Sequence, residues 1–536
     1  MKYYIIGGEI MKQPVIGTKV MVVSPHYLAS VAGARILEQG GNAFDAAIAV
    51  SACLAVVYPH MTGLGGDSFW LSYIHGEGAV RAYNGSGRSG HRATLEAFAG
   101  ESSIPTRGVR SVVTVPGMVD AWDALHREYG RLSFAQVLEP AINYATNGFP
   151  MSPDQYENTV AQEQLLSQWP STSSIYLPGG QAVKPGKRFV QQSLARTLRE
   201  LALNGRDAFY KGGISSKIVS YLQENGGLLT IDDFADHQGN WVSPLEGSYR
   251  GYSIYQLPPN SQGFAGLMAL HILENFDLGS IEHGSYEYYH LLIEALKLSF
   301  RDRNKYLTDP DYSDIPLDRL LSKTYAAELA ACIRMDRASE METAPLGNDT
   351  AYAAVVDKEG NAVSFIQSLY FEFGSGVVAG ETGILLQNRG SFFSLNPGHV
   401  NGLQPYKRTF HTLMPAMVCM DGKPRLLYGT QGGEGQPQTQ TALLTRMIDY
   451  GMNPQQAINE PRWVWGRTWG DPTQELKVEE RIRPEVADAL ASAGHLVRKV
   501  KEFDGLMGHA HAIWIDEQGF LSGGTDPRCD GMAVGW

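Results

Sequence analysis

Residues 349–370 read DTAYAAVVDKEGNAVSFIQSLY, two apolar runs separated by the polar turn from Asp357 to Asn361. Ala, Val, Phe and Ile dominate the runs, so the stretch is a β-hairpin. Setting Val356 opposite Ala362 carries the register back to Thr350 opposite Ser368, with Cβ atoms about 4.5–5.5 Å apart. A slip of one residue would undo that pairing, and a five-residue turn holds register only loosely. Two facing hydroxyls at a strand start suit nucleophilic chemistry, and they also suit ordinary Thr–Ser pairing in a sheet. From spacing, both readings stay open.

Before the hairpin lies a polar, low-structure passage (337–349) containing Pro345 and Gly347. After it come further short strands: GILLQN, PAMVCM, PRLLYGT, AHAIWID and GFLSGG. Helices are expected over 440–450 and 484–493. Upstream, residues 116–301 read as mostly helical, with turns such as SYRGYSIYQLPPNSQG. Near the start, Ser24 and Pro25 open a helix to about Glu38. Asn42 caps a second helix that is apolar on most faces and therefore buried. SFWLSYI and AVRAYNG follow as half-buried strands. Helices, then strands, then helices describe sheets covered by helical layers. At 536 residues the length prior is about three or four domains, but no Pro-rich, Ser-rich or charged linker divides the chain, which favours one large body.

Composition excludes several classes. A net charge of −12 argues against nucleic-acid and anionic-membrane binding. Cys53, Cys332, Cys419 and Cys529 are far apart, without CxxC or zinc spacing, and read as thiols in a reducing compartment. The apolar stretch Ala43–Val57 is interrupted by Asp45 and too short to span a bilayer. The N-terminal segment lacks a secretory h-region, so a cytoplasmic location is the default. His509 and His511 share one strand face, but no third metal ligand has suitable spacing.

Residues 347–388, GNDTAYAAVVDKEGNAVSFIQSLYFEFGSGVVAGETGILLQN, resemble the small-subunit start of γ-glutamyltranspeptidases, whose strand-initial Thr is the nucleophile. The tyrosine of that family pattern is displaced here. The resemblance extends through GGNAFDAAIAVSACLAVVYPHMTGLGGDSF (40–69), GRDAFYKGGISSKIVSYLQENGGLLTIDDF (205–234) and YRGYSIYQLPPNSQGFAGLMALHILENFDL (249–278). It continues in YGTQGGEGQ (428–436) and GGTDPR (523–528). It implies the four-layer αββα sandwich of N-terminal-nucleophile hydrolases and an amidohydrolase or acylase needing no cofactor and no metal. Cleavage of the Asp349–Thr350 bond would yield a large segment, 1–349, and a small one, 350–536, together forming one αββα body. The freed α-amine, with an unperturbed pKa of about 8, would then take the Thr350 hydroxyl proton. Gly432 and Gly433 resemble the family's oxyanion glycines, and a plain Gly-rich turn is the alternative. Ser368 stands where the family has its second, orienting hydroxyl.

The substrate positions depart from the family. Aligning GSGRSGHRAT (85–94) puts Ser86 where the family clamps a carboxylate with Arg, and Arg88 two residues on. Tyr370 replaces an Asn. Arg389 and Phe392 replace the groups that receive an α-ammonium, and His411 and Thr412 replace paired serines. Losing an acidic group while gaining Arg389 favours an acyl group with a carboxylate and no α-amine, as in cephalosporin-acylase-like or oxamate-amidohydrolase-like members. Arg88, Tyr370, Arg389, His411 and Thr412 are the candidate pocket, with structural salt bridges open for both arginines. Glutathione hydrolysis or γ-glutamyl transfer, a binding protein that never matures, and a depolymerase of polyanionic amides are the alternatives. Expected partners are a small-molecule amide and the chain's own two fragments, with a dimer of αβ units left open and no nucleic acid or membrane.

Overall fold

The computed structural model of the protein describes residues 4–6, 9–11, 13–340, 349–466 and 473–536. Two seven-stranded sheets form its centre. The first runs in the order Met532–Gly535, Met21–Ser24, Asp349–Val356, Ala362–Tyr370, Asp67–Ile74, Ala79–Gly85 and Asn240–Val242. The second runs Leu245–Tyr249, Tyr252–Gln256, Ala416–Met420, Lys423–Thr430, Ala510–Ile515, Leu521–Thr525 and Val15–Gly17. Neighbouring strands pair antiparallel throughout both.

The period-2 alternation of a strand assigns its side chains to layers. Ala351, Ala353 and Val355 join Val363, Phe365 and Leu369 in a core shared with the helices Tyr27–Glu38 and Ala43–Val57. Tyr352, Ala354 and Val356 point the other way and meet Met417, Leu427 and Ile513 of the second sheet. On that sheet's outer face Val418, Leu426, Tyr428 and Ala512 pack against the helices Gly263–Leu273 and Tyr286–Tyr306. The layers are therefore helix, sheet, sheet, helix. Tyr352 fits between the sheets because residue 429 is glycine: a Cβ there would lie 2.3 Å from its ring.

Local chemistry explains the elements. Every residue of the helix Ala43–Val57 is buried, and Asn42 and Asp45 close it with a reciprocal capping box, worth about 1 kcal/mol. Asp45, the residue that interrupts the apolar run, also accepts the Arg131 N–H at 3.1 Å, so its burial is satisfied. The preceding helix starts at Tyr27 with His26 as its cap, two residues later than Ser24–Pro25 suggested.

Four other expectations are corrected. SYRGYSIYQL is a hairpin rather than a turn between helices: Arg250 (φ 49°) and Gly251 (φ 85°) supply the paired left-handed residues of a tight connection. GILLQN forms only isolated bridges, because left-handed glycines at 374, 376, 380 and 383 coil the segment. The strand Asp67–Ile74 is buried along its whole length rather than on one face, since it lies between both neighbouring layers. The helix expected from 440 begins at Gly435, with Pro437 tolerated in its first turn, where no intrahelical donor is needed. No helix among the described residues is long and apolar enough to cross a membrane. Residues 341–348 of the polar passage before Thr350 lie outside the described residues.

Candidate active site

Three polar residues occupy one rung of the first sheet, on the face that looks toward the second. Thr350 is 1% exposed, and Ser368 and Asp67 are equally buried. Asp67 pairs directly with Ser368. The hairpin register runs as expected from Val356↔Ala362 to Ala351↔Gln367 and then shifts, so that Asp349 pairs with Tyr370. Ser368 and Leu369 thus share the place opposite Thr350, a β-bulge in place of the simple pair. A bulge re-aims the side chains beside it. Here the Ser368 Oγ accepts the Tyr370 N–H at 2.8 Å, and Tyr370 is held at φ 90°, a left-handed conformation costing a tyrosine about 1–3 kcal/mol.

Arg389 approaches this rung from the short 3₁₀ turn Arg389–Phe392. Its Nη2 lies 3.5 Å from the Ser368 Oγ, and the guanidinium sits 4.3 Å from the Tyr370 ring centre and 5.2 Å from that of Phe392. The side chain is 1% exposed, yet Nε and Nη1 have no hydrogen-bond partner among the described residues. Burial pulls its pKa down to about 10, against the opposing pull of Tyr370 and Asp67, so it stays cationic at neutral pH. A buried cation of this kind carries a penalty of several kcal/mol unless an anion arrives.

His411 and Asp67 form a second buried polar pair beside Ser368. The His411 Nε2 is 3.0 Å from Asp67 Oδ2. Asp67 Oδ1 accepts the N–H groups of Gly87 (3.1 Å) and Gly117 (3.0 Å) and the Gln387 side-chain amide (3.1 Å). Burial, reinforced by Arg389, lowers the His411 pKa to about 4, with Asp67 opposing. The ring is therefore neutral at pH 7. With Nε2 donating to the carboxylate, its unpartnered Nδ1 presents a lone pair. Thr412 contributes its carbonyl to Gln262 at 2.7 Å.

The fourth component is the turn after the strand Lys423–Thr430. Gly432 (φ 125°) and Gly433 (φ 51°) both take left-handed conformations, and among the described residues neither N–H is committed to an acceptor. The turn is anchored from three sides. His509 O receives the Gln431 N–H at 3.1 Å, Gln262 Nε2 donates to Gly433 O at 3.1 Å, and Glu434 pairs with the buried Arg303 at 2.9 Å. Two open N–H groups on a fixed turn suit a developing oxyanion. Beyond Gly435, Gln436 directs its Nε2 at Thr350 Oγ1, 3.4 Å away. A cavity of about 520 Å³ lined by Tyr370, Phe371, Phe392, Phe410, Arg303 and Asn304, among others, adjoins the aromatic side of Arg389.

Of the residues expected from the sequence, Thr350, Ser368, Tyr370 and Arg389 come together, with His411 joined to them through Asp67. Arg88 does not. It is tied to Asp309 (3.1 Å) and Asp311 (2.7 Å) and covers the Tyr406 ring, so its charge is already neutralised and the salt-bridge alternative describes it. Ser86 bonds to Asn84 at 2.6 Å. His509 bonds through Nδ1 to the Tyr58 hydroxyl. Among the described residues the grouping with metal-ligand spacing is His290, Glu294 and His495. There the Lys297 ammonium lies 2.9 Å from Glu294 and already supplies a cation. Asp67, Gln262, Arg303 and Gln436 went unread in the sequence, although Asp67 ends the glycine-rich GLGGD and Gln436 ends GGEGQ.

A buried threonine at the head of a central strand, an open pair of backbone donors and two facing sheets between helical layers define an N-terminal-nucleophile hydrolase. The comparisons with known proteins agree. Residues 29–536 match the gamma-glutamyltranspeptidase family model, and the chain belongs to that family. It is 64% identical over 525 residues to a glutathione hydrolase-like YwrD proenzyme of Bacillus subtilis, covering 98% of this chain and all of that one. It is 41% identical to an oxamate amidohydrolase proenzyme of Klebsiella pneumoniae, covering 97% and 99%. Its fold matches the crystal structure of a cephalosporin acylase from Bacillus halodurans with a TM-score of 0.92, at 38% identity over 98% of this chain and 97% of that one.

Proposed function

We propose that this chain cuts itself before Thr350 and then hydrolyses small amides whose acyl group carries a carboxylate. The maturation products would be the segments 1–349 and 350–536. They would stay together, because the Thr350 strand is inserted between Met21–Ser24 and Ala362–Tyr370.

The carrying observation is Arg389, a buried guanidinium with two partnerless nitrogens beside Ser368. A substrate carboxylate would accept a charge-assisted bond from Nε or from Nη1, which lie on different edges of the guanidinium, with Nη2 as the second donor on either edge. Ser368 shares a rung with Thr350, and adjacent strands are about 4.8 Å apart, so the chain between carboxylate and scissile carbonyl is short. The Thr350 α-amine, freed by self-cleavage, takes the hydroxyl proton as Oγ1 attacks, and the Gly432–Gly433 turn receives the carbonyl oxygen as it becomes negative. The amine product leaves, and water hydrolyses the acyl ester. Neutral His411 offers Nδ1 as an acceptor for a substrate N–H. Similarity to an oxamate amidohydrolase and a cephalosporin acylase supports this acyl class.

γ-Glutamyl substrates fit less well, because their ammonium would approach the Arg389 charge. The test is a comparison of matured enzyme on oxamate, glutaryl anilide and γ-glutamyl anilide. Turnover is expected on an anionic acyl donor lacking the amine, and faster turnover of the γ-glutamyl compound would overturn the reading.

A further inference from the structure

Gln436 occupies the first turn of the helix Gly435–Ile448 and is fully buried. Its Oε1 accepts the Met414 N–H at 3.2 Å, and its Nε2 lies 3.4 Å from Thr350 Oγ1. A backbone N–H can only donate, so the oxygen must be the atom that faces Met414, which fixes the amide orientation. The NH₂ group is thereby aimed at the nucleophile. The Gln436 N–H in turn bonds to Gly433 O at 3.2 Å, which ties this residue to the oxyanion turn.

We propose that Gln436 is a catalytic residue that stabilises Thr350 Oγ1 when that oxygen is expelled from an ester. The proposal rests on the self-processing and acyl-transfer reading above. A donor on an attacking oxygen makes it a weaker nucleophile, while the same donor on a departing oxygen stabilises the charge it acquires. Gly432 and Gly433 serve the carbonyl oxygen, a different atom, so the two devices act on opposite ends of the breaking bond.

The chemistry is explicit for maturation. Oγ1 attacks the Asp349 carbonyl carbon, the peptide C–N bond breaks and the hydroxyl proton passes to the Thr350 nitrogen, leaving an ester between Asp349 and Oγ1. Water adds to that ester, the C–Oγ1 bond breaks and Oγ1 regains a proton. The products are the Asp349 carboxylate and the Thr350 ammonium. Gln436 acts in the second half, and again whenever an acylated Thr350 is hydrolysed.

The experiment uses the full chain with two substitutions. Gln436→Glu keeps the acceptor for Met414, and Gln436→Met keeps the length but removes the donor. Both are checked for a cooperative melt. Conversion to two fragments is followed on denaturing gels with and without neutral hydroxylamine, which cleaves esters far faster than peptide bonds. Loss of one such donor commonly costs about 10²–10³ in rate, so spontaneous cleavage is expected to slow at least about tenfold in both variants. Hydroxylamine should then release the fragments, because the ester accumulates. Cleavage within about threefold of the parent chain, or slow cleavage that hydroxylamine leaves slow, would overturn the role of Gln436. A parent chain that never cleaves would remove the functional reading itself, a different result on the same gel.

Discussion

The Arg389 Nη2 stands 3.5 Å from the Ser368 hydroxyl, while two other nitrogens of the same guanidinium have no partner in the described protein. Its contacts with the Tyr370 and Phe392 rings and the attraction of Asp67 offset part of the cost of burying this charge, and in the proposed function a substrate carboxylate offsets the rest. Replacing it by methionine keeps the volume and removes the charge. The expected loss of a charged hydrogen-bonded contact is about 2–3 kcal/mol, roughly 30- to 150-fold in kcat/KM for a carboxylate-bearing donor. Unfolding by urea should show equal or greater stability, by up to about 2 kcal/mol, because an unpaired buried charge has been removed. A variant that is both destabilised and fully active would contradict this assignment.

Thr350→Ala separates folding from chemistry at the first strand of the hairpin. The strand Asp349–Val356 is paired on both sides, and alanine suits its buried position, so the chain should fold to a melting temperature close to the parent's. Without Oγ1 it should remain a single band on a denaturing gel after prolonged incubation and hydrolyse no amide. Two fragments from this variant would place the nucleophile elsewhere.

Asp67→Asn probes the anchor beneath His411. The carboxylate accepts from His411, Gly87, Gly117 and Gln387. An asparagine has only one oxygen, and its NH₂ must face at least one of those donors. A loss of about 2–4 kcal/mol is expected from the stranded groups, read as a lower urea midpoint. An unchanged midpoint would mean that these contacts carry little of the local stability.

Much of the fold was legible because the hairpin is locally consistent. Its alternation sorts Ala353 from Ala354 into different layers, and the register from Val356 to Ala351 is the one obtained by setting Val356 opposite Ala362. The bulge was not legible, since it is fixed where Ser368 Oγ captures the Tyr370 N–H and nothing in the letters SLY announces that bond. Arg389 was visible as a charge in an unusual place, but its freedom from ion pairs is a tertiary fact. Arg88 looked equivalent in sequence, and only the approach of Asp309 and Asp311 from more than two hundred residues away separates the two. Gln436 was hidden for a similar reason, because its target and its Met414 anchor lie on other segments.

Buried imidazoles set the acid limit of the fold. Burial lowers the pKa of His26 to about 3 and of His237 and His411 to about 4, against about 6.5 in an unfolded chain. Between those values and pH 6.5 the unfolded state binds more protons than the native state, so stability rises with pH across that window and falls as pH drops below 6.5. Each such residue contributes a slope of about 1.4 kcal/mol per pH unit within its window. Asp530, pushed up to about 6 by burial, works in the opposite sense and offsets part of one histidine's effect between about pH 4 and 6. The net expectation is a melting temperature that is nearly flat above pH 7 and declines from about pH 6.5 downward, well before ordinary carboxylates titrate. His411→Gln, which keeps a polar side chain but does not titrate, should flatten that decline by about one histidine's share. A melting curve unchanged between pH 7 and pH 4.5 would show that these rings already find protons in the native state.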